Sequence, residues 1–380
     1  MEYRKMKKLN ISPSLLGFGA MRLKTKANGD IDYELGDKLI DKAYKNGVNY
    51  FDTAATYTDG LNEKFLGQSL KRYPRESYYL ATKLSLFRIK EREEIFSFFE
   101  KQLEQLGVEY VDFYLIHAMN KNIFQRVKDW GIIDILRRWQ KEGKIRYIGF
   151  SFHDDYKTYK EILDYYHWDF CQIQLNYMDT NIQQGIQGYY DALEKEIPVI
   201  IMEPLKGGKL ANFNKKVSKL LIDYNPNVSI ASWGFRYLFG LEGVKVILSG
   251  MNDMEQLDDN LKTFKNPKPL NEEEQKLIKE VEAKLNKIFE VSCTQCSYCM
   301  PCPAGVDIPE NFEIFNDYAM YQTISNTKWN INLLKKRDAT FDACIECGAC
   351  LSLCPQKIDI PNELKRMKET FGFLKWLKLK

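Results

Sequence analysis

The chain has 380 residues, 44% of them apolar and 28% charged, with a formal charge of +3. That composition suits a soluble globular protein with one large domain and a small one. So small a charge, with no basic cluster interleaved with stacking aromatics, argues against nucleic acid, and no apolar run reaches the roughly 18–20 residues of a membrane helix.

The first segment, "MEYRKMKKLNISPSLLGFGA", sets basic residues before a few apolar ones. Pro13 and two glycines interrupt it, so it reads as a first strand rather than a secretion signal, and a cytoplasmic location is expected. Strand-like runs then recur in order: "SLLGFGAM", "VNYFDTA", "YYLATKL", "VDFYLIH", "IRYIGFS", "DFCQIQLNY", "PVIIMEP" and "VKVILSG". Helix-period segments separate them, among them "YELGDKLIDKAYKNG", "EIFSFFEKQLEQLG" and "IIDILRRWQKEGK", several closing on glycine as helix C-caps do. Eight strands alternating with helices over about 250 residues predict an α/β fold, the (β/α)8 TIM barrel. An open doubly wound sheet competes, but no G-x-G-x-x-G opens the first helix, and "GFGAMR" matches that fingerprint only in part. "NEEEQKLIKEVEAKLNKIF" reads as an amphipathic helix with Asn271 and Glu274 placed for a capping box. The expected division is a barrel over 1–285 and a small, mainly helical ferredoxin-type domain over 286–380.

In such a barrel the reacting groups sit at the C-terminal ends of strands. Asp52 and Tyr57 follow the second strand, Lys83 ends the third and His117 ends the fourth. Each alone would be an ordinary loop or core residue; together, on three consecutive strands, they form a constellation. It resembles the catalytic tetrad of the aldo-keto reductases, a likeness that covers about residues 10–265 through D-T-A-x-x-Y, A-T-K and L-I-H. Reducing a carbonyl needs hydride on carbon and a proton on oxygen. A phenol, with an ordinary pKa of about 10, becomes a usable acid beside a cation. The resemblance implies that Lys83, oriented by Asp52, supplies that cation to Tyr57 and that His117 orients the substrate oxygen.

The same resemblance implies NADP, or NAD, as cofactor. It places Asp52, Ser151 and Gln174 toward the nicotinamide end, "EPLKGGKL" with Pro204, Leu205 and Gly207 around the pyrophosphate, and Gly250, Gln256 and Asn260 toward the adenosine. The sequence departs from the family at three places. Phe152 stands for the asparagine after the serine, Met202 for the tyrosine that stacks on the nicotinamide, and Met251–Asn252 for a basic residue at the 2′-phosphate. His153 is expected either to touch substrate or to cap the next helix, and His167 and Cys171 read as helix-end and core residues.

Of nine cysteines, eight fall between Cys293 and Cys354. "CTQCSYCMPCP" and "CIECGACLSLCP" each step by x₂ and end in Cys-Pro, followed by a β-branched residue, Asp, Ile and Pro. Zinc ribbons use two separated C-x₂-C pairs instead. The second run has the bacterial ferredoxin spacing, so two [4Fe–4S] clusters are expected. In two-cluster ferredoxins the fourth cysteine serves the other cluster. By that likeness Cys293, Cys296, Cys299 and Cys354 hold one cluster, and Cys344, Cys347, Cys350 and Cys302 the other. The first run has x₂ where x₃ is usual before Cys302. The closing "FGFLKWLKLK" alternates apolar residues with lysines, as a segment touching a partner or membrane surface does, but at ten residues it reads rather as a frayed end that covers the cluster domain.

The combined reading is a nicotinamide-dependent oxidoreductase acting on a small-molecule carbonyl or alcohol, with a ferredoxin-like protein as candidate redox partner. The alternative is an electron-transfer protein whose barrel is not a conventional carbonyl reductase. Hydride transfer moves two electrons at once and a cluster takes one. Coupling them calls for a splitter such as a flavin, for which no motif is apparent.

Overall fold

The structure, a computed structural model, describes all residues except 322–323 and 377–380. Eight strands form the centre of the first unit: β1 (Leu16–Gly19), β2 (Tyr50–Asp52), β3 (Tyr79–Leu84), β4 (Val111–Met119), β5 (Ile145–Phe152), β6 (Phe170–Gln174), β7 (Val199–Met202) and β8 (Val244–Ser249). They pair in parallel, in sequence order, and β8 closes on β1. The expected barrel is therefore the observed one. Around it run α1 (Tyr33–Lys45), α2 (Asn62–Leu70), α3 (Glu94–Leu106), α4 (Lys121–Asp129), α5 (Ile132–Lys141), α6 (Tyr156–Tyr165) and α7 (Gly185–Glu194). Further along are α8 (Lys215–Tyr224), α9 (Ile230–Phe239) and α10 (Met254–Lys265). Asp32, Asn120 and Asp155 cap α1, α4 and α6 with side-chain oxygens, and Gly107 ends α3 in the left-handed region.

Strand periodicity sends alternate residues to opposite faces. One set, including Leu16, Phe51, Tyr114, Ile173 and Ile247, packs outward under the helices. The other, including Tyr50, Ala81, Phe113, Leu115, Phe170, Ile200 and Val246, fills the barrel interior. Gly149 is required here: a Cβ on it would lie 2.7 Å from the Phe170 carbonyl oxygen of the neighbouring strand. Continuing the interior set toward the strands' C-terminal ends brings Asp52, Lys83, His117, Ser151 and Gln174 to one end of the barrel. The register Asp52↔Ala81, Lys83↔Leu115 and Gln174↔Met202 sets their levels.

The compact units interleave along the chain. The first contains Met1–Leu205 and Ala231–Asn271, the second Lys206–Ile230 and Glu272–Lys380. The boundary expected after residue 285 thus marks the end of α11 (Glu272–Leu285), which packs on α8 within the second unit. That unit continues with α12 (Ile308–Tyr321), α13 (Ile324–Lys336) and α14 (Ile360–Trp376). Its core joins Val306, Phe312, Phe315, Leu334, Leu364 and Met367, with cysteine side chains packed at the edge. The sequence repeat acquires a physical meaning here. Asp307 and Asp359 accept hydrogen bonds from Glu310 and Asn362 N–H groups, and an Ile-Pro pair opens the helix each time. Each half is a cysteine loop followed by a capped, proline-started helix. Of the last segment, Phe371 packs against Phe315, Tyr318 and Phe341, as a covering end should; residues 377–380 lie outside the described set. No described helix is long and apolar enough to cross a membrane.

Candidate active site and cluster sites

Lys83 is fully buried, and its Nζ donates to Asp52 Oδ1 and to the Thr53 carbonyl oxygen, each at 2.7 Å. Two fixed acceptors hold the ammonium 4.8 Å from the centroid of the Tyr57 ring. The His117 ring stands 6.1 Å from the same ring, edge to face. All four tetrad residues are therefore brought together. Burial draws the Lys83 ammonium below its ordinary value, and the carboxylates of Asp52 and then Glu63 oppose that pull. Asp52 is pushed up by burial and held back by Lys83, and its Oδ2 has no hydrogen-bond partner among the described residues.

His117 is held well below its ordinary value by burial first, then by the charges of Lys83 and His153. It is a neutral imidazole, with Nδ1 2.7 Å from Ser85 Oγ. Ser85, two residues past Lys83, was not marked by the motifs. Burial also lowers His153, to about 4. It does not cap α6, which is capped by Asp155.

Behind Lys83 is a buried polar layer. Thr82 Oγ1 and Gln102 Nε2 donate to Glu63 Oε1 at 2.5 and 2.7 Å, and Gln102 Oε1 accepts from the Tyr114 hydroxyl at 2.7 Å. Burial raises Glu63 from 4.5 to about 7, against those hydrogen bonds and the Lys83 charge. Between these values the unfolded chain has lost its proton while the folded chain keeps it. This contribution to stability is full below about pH 4.5 and lost as pH rises through 7. Glu63→Gln keeps an acceptor for both donors and cannot ionise. Its melting temperature relative to the parent should rise between pH 5 and pH 8, the difference corresponding to at most about 3 kcal/mol. A difference that stays flat with pH would contradict the assignment.

The residues expected at the cofactor are placed as follows. Ser151 Oγ accepts from Ala118 N–H at 2.8 Å, and Gln174 donates to Asp179 at 2.9 Å and accepts from Gln183 at 3.1 Å, both residues buried. Phe152 turns outward into the core against Tyr159, so it adds packing rather than a polar group at the barrel end. Met202 Sδ is 3.7 Å from Gln172 Nε2, and Gln172 Oε1 has no hydrogen-bond partner among the described residues. Pro204 and Leu205 end the first unit's segment, while Gly207 and Gly208 open the second unit's with positive φ and nothing within 4 Å of a Cβ at Gly208. Gln256 bonds back to Asn252 and Asp253, and Asn260 donates to Ser249 at 2.9 Å. Sequence reading missed a cation near Gly250. A Cβ on Gly250 would lie 3.1 Å from Cβ of Arg22, whose guanidinium pairs with Glu203 at 3.1 Å. The buried polar side chains at the strand ends, Ser151 and Gln174 among them, fit the polar end of a dinucleotide.

In the second unit none of the eight cysteines is in a disulfide, and they fall into two groups. Burial raises Cys299, as do its neighbours Cys296, Cys293 and Cys354. Cys350 is raised by burial and by Cys344, Cys302 and Cys347. Cys354 thus neighbours the first run and Cys302 the second, the grouping that the likeness to two-cluster ferredoxins implies. Cys293, Cys296, Cys299 and Cys354 line a small recess with Ile308, Phe312 and Ile360. The loops are turned alike. Gln295 and Ser297 in the first, and Glu346 and Gly348 in the second, have positive φ at matching positions. Gln295 N–H points to Cys293 Sγ at 3.4 Å. Among the described residues no His, Cys, Asp or Glu group is spaced to hold a single ion, which would need Zn–S bonds of about 2.3 Å. Thiols gathered so closely that Cys299 and Cys350 are each raised by burial and by their neighbours fit a group whose iron supplies the compensating charge. Buried Asn311 and Asn316 of α12 fix the approaches. Asn311 accepts from Phe341 N–H ahead of the second loop, and Asn316 from Glu290 and Val291 N–H ahead of the first.

Residues 15–283 match the model of the aldo/keto reductase family, and residues 292–358 that of a 4Fe-4S dicluster domain. A probable aldo-keto reductase 1 of Glycine max is 33% identical over 146 residues, 36% of this chain and 41% of that protein. The chain thus spans less than half the length of that relative. An NADH-specific methylglyoxal reductase of Escherichia coli is 26% identical over 305 residues, 67% of this chain and 93% of that one. The holo form of an aldo-keto reductase from Bacillus halodurans has the same fold, with a TM-score of 0.62 at 24% identity. It matches over 74% of this chain and 96% of its own.

Proposed function

Because the chain belongs to the aldo/keto reductase family and carries a C-terminal 4Fe-4S dicluster domain, we propose that it reduces a small-molecule carbonyl with a nicotinamide dinucleotide and holds two [4Fe–4S] clusters. The observation that supports this best is the Lys83 ammonium, fixed by Asp52 at 2.7 Å and standing 4.8 Å from the Tyr57 ring. A bound nicotinamide supplies hydride, and a cluster carries single electrons. Tyr57 gives its phenolic proton to the carbonyl oxygen, and Lys83 stabilises the phenolate left behind until solvent returns the proton. With Ser85 Oγ as donor to Nδ1 of the neutral His117, Nε2 would carry the ring proton and orient the substrate oxygen. Ser151, Gln174, Pro204, Leu205, Gly250, Gln256 and Asn260 would hold the dinucleotide.

The end of α10 nearest Gly250 carries Asp253 and Glu255 but no cation, and Arg22 is engaged by Glu203. Carboxylates suit a ribose 2′-hydroxyl better than a 2′-phosphate. The E. coli relative named as NADH-specific is consistent with that preference. Fluorescence titration of the anaerobically purified protein should find NADH bound at least as tightly as NADPH. Binding of neither would overturn the reductase reading.

A reading in which the barrel serves only as a scaffold for electron transfer has one supporting observation, the placement of Phe152 in the core away from the barrel end. The intact tetrad outweighs it.

A further inference from the structure

Asn62 opens α2 and is fully buried, yet its amide is turned away from its own helix. An asparagine at a helix start ordinarily directs its oxygen onto the free N–H groups of the first turn. Here Oδ1 accepts from Thr53 Oγ1 at 2.7 Å, and Nδ2 donates to the Ala20 carbonyl oxygen at 2.9 Å and to Thr58 Oγ1 at 3.4 Å. Leu61 before it offers no side-chain cap either, so a local rule is set aside at this helix end. One buried side chain thus ties together the turn after β1, the residue after β2 and the residue after Tyr57. Buried polar groups paired this fully specify a single arrangement.

Two of those ties lead to the reacting groups. The Thr53 carbonyl oxygen is one of the two acceptors that hold the Lys83 ammonium beside the Tyr57 ring. Thr53 N–H donates to the Ala81 carbonyl oxygen at 2.9 Å, so ladder and hydroxyl together fix where that acceptor lies. Thr58 has a φ of 47°, in the left-handed region, where a β-branched residue is strained. Such a conformation persists only where its surroundings hold it, and the Asn62 amide is one such hold, one residue from the phenol. The next residue of α2 grips the neighbouring strand. Glu63 accepts from Thr82 and Gln102, and the same Gln102 amide donates to the Lys83 carbonyl oxygen at 3.1 Å. We propose that Asn62 is a positioning residue of the reductase site, holding Lys83 and Tyr57 at their working separation through Thr53 and Thr58. This rests on the carbonyl reduction proposed above. Asn62 bonds to none of Ser151, Gln174, Gln256 or Asn260, so binding of the dinucleotide should not depend on it.

The test compares Asn62→Ala, Thr53→Val and the double variant with the parent, all as full-length protein. It measures NADH-dependent reduction of a set of simple aldehydes, NADH affinity and thermal melting. Thr53→Val is isosteric and removes only the hydroxyl that Asn62 holds. Each single variant should lower kcat by about ten- to a hundred-fold, as a small misplacement of reacting groups does, with KM and NADH affinity little changed. The double variant should be no slower than Asn62→Ala, because both substitutions act through the same carbonyl at Lys83. Should Asn62→Ala fail to fold, Thr53→Val carries the same expectation alone. Unchanged kcat in folded variants, a loss confined to KM or to NADH affinity, or losses that multiply in the double variant would overturn the positioning role. A parent protein that reduces none of the aldehydes would instead refute the reading on which the inference rests.

Discussion

Tyr57→Phe is expected to slow carbonyl reduction by about 10²- to 10⁴-fold, the usual contribution of a positioned general acid. The substitution removes one oxygen from a ring that packs beside Lys83 and His117, so the fold should be unaffected. Lys83 would keep its bonds to Asp52 and Thr53, dinucleotide binding should persist, and the cysteine loops are untouched. The loss should appear in kcat, because the proton moves only in the transition state. Unchanged turnover would remove Tyr57 from the acid role and with it the tetrad assignment.

Cys347→Ala should abolish one cluster and leave the other. Iron and sulfide would then fall to about half of the eight each that two cubanes require. Cys347 is exposed, so its loss leaves no buried cavity, whereas the first set borders the apolar core of the second unit. Electron exchange with a small one-electron carrier should fall sharply, while NADH-linked carbonyl reduction continues. Loss of both activities, with the remaining cluster intact, would put the exposed cluster on the path of the reducing equivalents.

Much of the barrel was legible because its signal is periodic. Each predicted strand run coincides with an observed strand, though β4 runs on to Met119 and β5 to Phe152, and alternation along β2, β3 and β4 carries Asp52, Lys83 and His117 to one end of the interior. The cysteine sets were legible for a related reason: x₂ spacing bends a short loop around one centre, and Cys-Pro repeats marked the two halves. Features that depend on contacts between distant segments were hidden. Arg22 reaches Gly250 only because β8 closes on β1. Glu63 becomes a buried acid through Thr82 and Gln102, residues from two other elements. Phe152 could be recognised as a departure, but its place in the outer core followed from strand facing. The interleaving of the units was equally unreadable, because α8 and α11 become neighbours only after folding.

The most direct measurement is a single-turnover reaction between the protein, nicotinamide dinucleotide carrying deuterium at its transferable position, and a simple aldehyde or ketone. Direct hydride transfer places the deuterium on the carbinol carbon of the product, with one label per turnover and none from solvent. A product whose carbon-bound hydrogen comes from water, or dinucleotide oxidation that reduces the clusters and leaves the carbonyl intact, would contradict hydride transfer in the barrel.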